Sequence, residues 1–288
     1  MRRTWLFLFP LVLSGCAPIG PSFLYPRGPI AGSERDLLFY ELIVMLFVIV
    51  PVFILTPLFA WRYRYSNRRA VYRPKWSFSW PLEILIWGGP IVIVILLALV
   101  LLRETLKLDP YRAIDSANSP LNVEVVGLDW KWLFIYPAQN IATVNELAFP
   151  ANRPVHLTLT SCSVMQSFLI PQLAGQIFAM AGMRTQLNFS ANSPGKFLGE
   201  NTQFDGLGFQ NQRFQVVAMT TNDFERWLAQ AKASGAALNQ KAFQTITKKS
   251  IVSKPLFYGA IEPGLFREII ASFHHGAQIA QHQSESRK

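Results

Sequence analysis

The chain is 288 residues long, 51% hydrophobic and only 15% charged, where ordinary soluble proteins carry about 25% charged residues. Its net charge of +10 divides into +6 over residues 1–102, from ten Lys/Arg against four Asp/Glu, and +4 over the remainder, from seventeen against thirteen. The shortage of charge points to a membrane, and a mild basic excess with no basic stripe of interleaved aromatics argues against a nucleic-acid partner.

At the N-terminus, Arg2 and Arg3 precede the apolar run WLFLFPLVL and then LSGC. A charged start, a short apolar core and a small-residue cleavage site predict a secretory signal over residues 1–15. The sequence Leu13-Ser14-Gly15-Cys16 resembles the lipobox of bacterial lipoproteins, which implies that the Cys16 thiol is acylated and becomes the new N-terminus. A plain signal peptide that happens to contain a cysteine is the other reading. Cys162 is the only other cysteine. A Cys16–Cys162 disulfide is arithmetically open, but lipidation explains Cys16 better. Residues 16–36 then form the mature N-terminal periplasmic segment.

Two apolar stretches follow, about 37–60 and about 82–102, each long enough for a membrane helix of about 20 residues. Pro51, Pro57 and Pro90 are tolerable there when neighbours satisfy the freed carbonyls. The connecting loop 61–81 carries Arg62, Arg64, Arg68, Arg69, Arg73 and Lys75 and no acid, with Trp61, Tyr63, Trp76 and Trp80 as an interfacial belt. The positive-inside rule puts this loop in the cytoplasm and everything after Arg103 outside it. Glu41 is expected one turn inside the outer end of the first helix, and Glu83 at the cytoplasmic start of the second. An acid at membrane depth invites a functional reading; headgroup-level placement, helped for Glu83 by the helix dipole, is the bland alternative.

From residue 104 to residue 220 the composition changes to alternating runs rich in β-branched and aromatic residues, as half-buried strands require. LNVEVVGLDWKWLFIYP, RPVHLTLTSCSV, QSFLIPQL, RTQLNFS and RFQVVAM read as strands, separated by Pro150-Ala151-Asn152, Ser193-Pro194-Gly195 and the glycines at 206 and 208. Val155, Leu157 and Leu159 fall on one face, with His156 facing solvent on the other. Cys162 reads as a small buried strand residue. Short strands at this spacing predict an antiparallel sandwich or barrel.

Residues 221–288 read as a helical extension and a polar tail. Asn222 with Glu225 suggests a capping box, and Phe224, Trp227, Leu228 and Ala231 give a packing stripe. A second helix is expected over Gln240–Thr247. A third is expected from Pro263, with Leu265, Phe266, Ile269, Ile270 and Phe273 as its apolar face. The tail histidines His274, His275 and His282 are either metal donors or part of a frayed end. No phosphate-binding glycine loop, nucleophile elbow or acid pair is present.

The order of these features resembles subunit II of the haem–copper terminal oxidases. DWKWLFIYP, QNIATVNELAFPANRPV, SVMQSFLIPQLAGQIFAMAGMRTQL and LGFQ are similar to the bo-type ubiquinol oxidases, the quinol-oxidising branch of that family. The resemblance implies a membrane-anchored all-β architecture: a two-helix transmembrane hairpin, then a cupredoxin-like antiparallel β-sandwich with C-terminal helices. In the branch that oxidises cytochrome c, the domain holds a dinuclear copper centre. Its ligands are a strand histidine and a loop patterned Cys-x-x-x-Cys-x-x-x-His-x-x-Met, with a Glu giving a backbone carbonyl.

Laid onto this chain, the strand histidine falls at Gln166. The loop positions fall at Asn201, Asp205, Phe209 and Gln212, with Gln203 at the carbonyl donor. No thiolate, thioether or imidazole stands at any of them, and copper favours those ligands. The resemblance therefore implies no metal, cofactor or catalytic residue in this chain, and no cytochrome c partner. It implies haems and copper in a partner subunit I, smaller subunits III and IV, ubiquinol as the substrate of the complex, and a multi-pass chain in the bacterial inner membrane with its C-terminal domain in the periplasm. It also implies that Glu83, in WPLEILIWGGP, stands at the entrance of a proton path in subunit I. Trp130 and Trp132 read as core or interface packing. Two further readings are a membrane-tethered periplasmic binding lipoprotein and a cytochrome c oxidase subunit II.

Overall fold

The computed structural model describes residues 22–68 and 75–273. The signal segment, Cys16, Arg69, Arg73 and the histidines at 274, 275 and 282 lie outside the described residues. The chain divides into two compact units, Ser33–Asp109 and a second built from Met1–Gly32 with Pro110–Lys288.

The first helix, α1, runs Pro29–Arg62. It begins eight residues before the expected start at 37, because Pro29 is pre-set for a first turn and the polar GSERD that follows contains no breaker. The last part of the segment expected to be the mature N-terminal stretch, residues 16–36, thus belongs to this helix. Glu41 consequently lies twelve residues into α1 rather than one turn in. The second arm is α2, Trp80–Glu83, a π-helical turn Ile84–Gly88, and α3, Gly89–Lys107. Together these make 28 residues, longer than the expected 82–102. Both arms are long and apolar enough to cross a membrane. Apolar side chains point outward all around them, as suits a helix whose neighbours are lipid or other helices.

The second unit is a two-sheet sandwich. Its strands are β1 Leu121–Leu128, β2 Lys131–Tyr136, β3 Ile141–Val144, β4 Glu146–Pro150, β5 Val155–Ser161, β6 Gln166–Ile170, β7 Ala174–Ala179, β8 Thr185–Phe189, β9 Gly195–Asn201 and β10 Arg213–Met219, with short β11 Ala237–Leu238, β12 Leu256–Tyr258 and β13 Ala260–Ile261. One sheet has the order β12-β3-β2-β1-β5-β8, the other β4-β10-β9-β6-β7. The expected antiparallel pairing holds for most neighbours. Within these two sheets β1 with β5 and β4 with β10 are parallel, because the chain crosses between sheets before each return; the short β11 and β13 form a separate parallel pair.

Alternation places the core. Val123 and Val125 of β1 and Trp132, Phe134 and Tyr136 of β2 face the inter-sheet core, with Leu157 and Leu159 of β5. The intervening Val126, Leu128, Leu133 and Ile135 face a second core. That second core is closed by Leu238, Ile246, Leu265, Phe266, Ile269 and Ile270 from the C-terminal part of the chain, so β2 is buried on both faces. The helix α4, Thr221–Lys232, is capped by Thr220, whose hydroxyl accepts from the Asp223 N–H at 3.2 Å. The cap is two residues earlier than the expected Asn222, because Thr220 is the last extended residue. Phe224, Trp227, Leu228 and Ala231 pack on the main core. The helix α5, Gln240–Ile246, is capped by Asn239. The last helix, α6, covers residues 265–273. It starts two residues later than expected, because Pro263 and Gly264 form a turn with Gly264 at φ +87°. Leu265, Phe266, Ile269 and Ile270 fill the second core.

Two strand expectations change in detail. Cys162 lies one residue beyond β5. Its N–H donates to the Gly127 carbonyl at 2.8 Å, and burial pushes its thiol pKa up to about 12. His156 is half-buried rather than free in solvent, its Nδ1 bonded to Asn188 Oδ1 at 2.9 Å.

Candidate functional site

Strand β9 pairs with β6 on one side and β10 on the other. That pairing draws the start of β6, the end of β9 and the residue before β10 to one end of the sandwich. Gln166 opens β6, Asn201 closes β9 and Gln212 immediately precedes β10. The loop 202–212 closes over them, beginning where β9 ends at Asn201.

Four of the singled-out side chains form one hydrogen-bonded network. Gln166 Nε2 donates to the Leu128 carbonyl and to Asp205 Oδ2, each at 3.0 Å. Gln166 Oε1 accepts from Gln212 Nε2 at 3.0 Å. Gln212 Oε1 accepts from Asn201 Nδ2 at 2.9 Å. Asn201 Oδ1 in turn accepts from the backbone N–H of Ser167 at 2.9 Å and of Gln203 at 3.0 Å. Gln166 and Gln212 are fully buried, so every bond here replaces one that water would otherwise supply. The other two positions stand apart. Gln203 contributes only its backbone N–H, and Phe209 lies in a short 3-10 turn with its ring 5.8 Å from that of Phe204.

Asp205 is the electrostatic exception. Burial, and then the neighbouring Asp129 charge, raise its carboxyl pKa to about 6, against the opposing pull of its hydrogen bonds. Its Oδ1 is buried without a hydrogen-bond partner.

Glycines permit this packing. A Cβ on Gly127 would stand 2.2 Å from Gln166 Oε1, and one on Gly208 would stand 2.1 Å from the Trp130 ring. Trp130 itself has φ +67°, a left-handed turn that lays its indole over the loop, with Nε1 3.4 Å from the Asp205 carbonyl. Trp132 is core, its ring edge-on to Phe168 at 5.1 Å. Sequence reasoning grouped the two tryptophans together; the structure separates them. It also missed Lys131, which is buried. Its Nζ donates to Ser250 Oγ at 2.7 Å and to the carbonyls of Lys248 at 2.8 Å and Ser250 at 3.2 Å. Burial lowers its pKa. A lysine in an apolar strand was the available signal.

Among the described residues, no group of three or more His, Cys, Asp or Glu is placed to hold a metal. The donors that converge are amides and one carboxylate, hard oxygens with no thiolate, thioether or imidazole among them, and they do not fit a copper pair. In the helical unit, Glu83 Oε2 accepts from Trp87 Nε1 at 3.0 Å.

A two-layer sandwich closed at one end by a glycine loop, carried on an apolar helix hairpin, is a membrane-anchored cupredoxin-like domain. Residues 137–218 match the family model described as "Cytochrome C oxidase subunit II, periplasmic domain", and residues 232–277 match the "COX Aromatic Rich Motif". The chain is 43% identical over 274 residues to cytochrome bo(3) ubiquinol oxidase subunit 2 of Pseudomonas aeruginosa, covering 94% of this chain and 82% of that protein. It is 43% identical over 269 residues to ubiquinol oxidase subunit 2 of Acetobacter aceti, covering 92% and 86%. It is 32% identical over 248 residues to quinol oxidase subunit 2 of Bacillus cereus, covering 86% and 85%. The chain belongs to the quinol oxidase subunit 2 family.

Proposed function

We propose that this chain is the subunit II, without a redox centre of its own, of a proton-translocating quinol:oxygen oxidoreductase. Membrane anchoring follows from the two apolar arms and the family. In this reading electrons leave a membrane quinol within subunit I, whose haems and copper pass them to dioxygen, and water is formed. This chain caps subunit I on the periplasmic side and packs its hairpin among the helices of subunit I and of the smaller subunits III and IV. Lipidation at Cys16 adds an acyl anchor to the mature N-terminus. Glu83 serves the entrance of the proton path.

One observation carries the reading. The positions assigned to the copper ligands of relatives, Gln166, Asn201, Asp205 and Gln212, hold one another by hydrogen bonds and offer no soft ligand. Gln203 and Phe209 complete the set without a metal-binding side chain. Copper analysis of the chain separated from its partners tests this. After incubation with copper and dialysis, the expected content is far below one atom per chain. One retained copper per chain contradicts the reading.

A further inference from the structure

We propose that Trp87 is a positioning residue for Glu83: its indole N–H fixes the carboxylate at the mouth of the second membrane arm. The proposal rests on the reading of Glu83 as the entrance to the proton path, and it names what holds that residue in place.

The geometry begins with Pro90. Proline has no N–H to give to the carbonyl four residues back, and its ring would collide with that carbonyl. The helix meets this demand with the wider π-helical turn Ile84–Gly88, placed immediately after Glu83 and before Pro90. Such single turns re-aim side chains and recur where a helix does more than span. In an α-helix a side chain four residues on has turned about 40° past its starting direction. The added width of the π turn brings it back toward the first side chain. Trp87 lands with Nε1 3.0 Å from Glu83 Oε2.

The chemistry of the pair is one-sided. An indole N–H can only donate, so it can hold a carboxylate oxygen but cannot accept a proton from it. Oε2 is thereby committed. Among the described residues, the indole of Trp87 is the side chain that engages the carboxylate, and it does so at Oε2. A carboxylate without this bond would sample several rotamers and meet the path only part of the time. Trp87 itself is largely exposed in the isolated chain, so core packing within this chain does not account for it.

The test uses the full complex reconstituted in vesicles, with haem content per complex as the check on assembly. Quinol-driven oxygen uptake is followed across pH for the wild type, Glu83→Ala, Trp87→Phe, Trp87→His and the double variant Glu83→Ala/Trp87→Phe. A further arm replaces Trp87 by 3-benzothienylalanine, which keeps the indole's shape and removes its N–H. This arm keeps the proposal testable if Trp87→Phe fails to assemble. Loss of the donor, by Phe or by benzothienylalanine, is expected to slow turnover about three- to tenfold, the scale of one ordinary net hydrogen bond. The quinol KM stays unchanged, and the pH profile shifts as it does in Glu83→Ala. Trp87→His, which keeps an N–H, recovers much of the rate, and the double variant is no slower than Glu83→Ala. A slow Glu83→Ala beside a wild-type benzothienylalanine complex overturns the role of Trp87 and leaves that of Glu83 standing. A wild-type Glu83→Ala removes both. A slow Trp87 variant whose pH profile is unmoved, and whose effect adds to that of Glu83→Ala, assigns Trp87 to packing and overturns the proposal.

Discussion

Two buried clusters share the same strands and are held by opposite physics. Gln166 and Phe168 lie two apart on β6, and Gln212 and Phe214 stand two apart at the start of β10. Alternation therefore points each pair to the same face. Further into the sandwich, Phe168 and Phe214 stack with centroids 4.9 Å apart, and Trp132 and Phe134 set their edges against them. At the end of the sandwich, Gln166, Asn201, Asp205 and Gln212 replace ring contacts with a chain of amide hydrogen bonds. The aromatic cluster is held by volume and the amide cluster by hydrogen bonds, with Asp205 Oδ1 the buried atom left without a partner. Glycines make room, Trp130 covers the backbone, and amides occupy the space between strands.

The largest expected effect is in the aromatic cluster. Phe168→Ala leaves a cavity among three rings, and urea unfolding of the detergent-solubilised chain should show a loss of about 3–5 kcal/mol. A loss as small as that of an ordinary surface substitution would mean that the cluster does not hold the sheets together. In the amide cluster, Gln212→Leu keeps the volume but strands Asn201 Nδ2 and Gln166 Oε1. The expected cost is about 2–3 kcal/mol, because buried unpaired polar groups lose their solvation outright. A neutral result would show that water fills the network instead.

A smaller effect separates the clusters by pH. The Asp205 pKa is raised, so its charge burdens the folded state. At pH below about 4 the carboxyl is protonated folded and unfolded alike, and there is no penalty. The penalty grows as pH rises from about 4 to about 6 and is complete above that. Asp205→Asn should therefore stabilise the chain by about 1 kcal/mol at neutral pH, a figure discounted because the group is partly solvated. It should give nothing near pH 3.5, roughly half a unit below the unfolded pKa. Equal effects at both pH values would contradict the assignment. The smallest effect is expected outside both clusters. Lys249 and Asp129 approach only to 3.9 Å at the surface, and Lys249→Ala should change the unfolding midpoint by less than about 0.5 kcal/mol.

Much of this was legible in the residues. The strict alternation of Val155, Leu157 and Leu159 gave β5 its face, and the lengths of the apolar runs gave the hairpin. The positions that gather at the loop were reached through family resemblance rather than through pattern. What stayed hidden depends on contacts distant in sequence. AGQIFA and GKFLGEN, the strands β7 and β9, carry glycines and weak alternation, and they become strands only by pairing with β6 and β10. The parallel pairing of β1 with β5 leaves no local mark. The early start of α1 escaped because charged residues near Pro29 look like loop until the helix behind them is fixed. Trp130 escaped because its role depends on a positive φ, which a tryptophan does not advertise.

The most direct test of the central claim is oxygen uptake by the purified complex with two reductants in parallel, a ubiquinol and reduced cytochrome c. A loop filled by amides leaves only the lipid-soluble donor competent, so the account predicts rapid uptake with the quinol and none above background with cytochrome c. Uptake driven by cytochrome c, with the quinol inert, would contradict it.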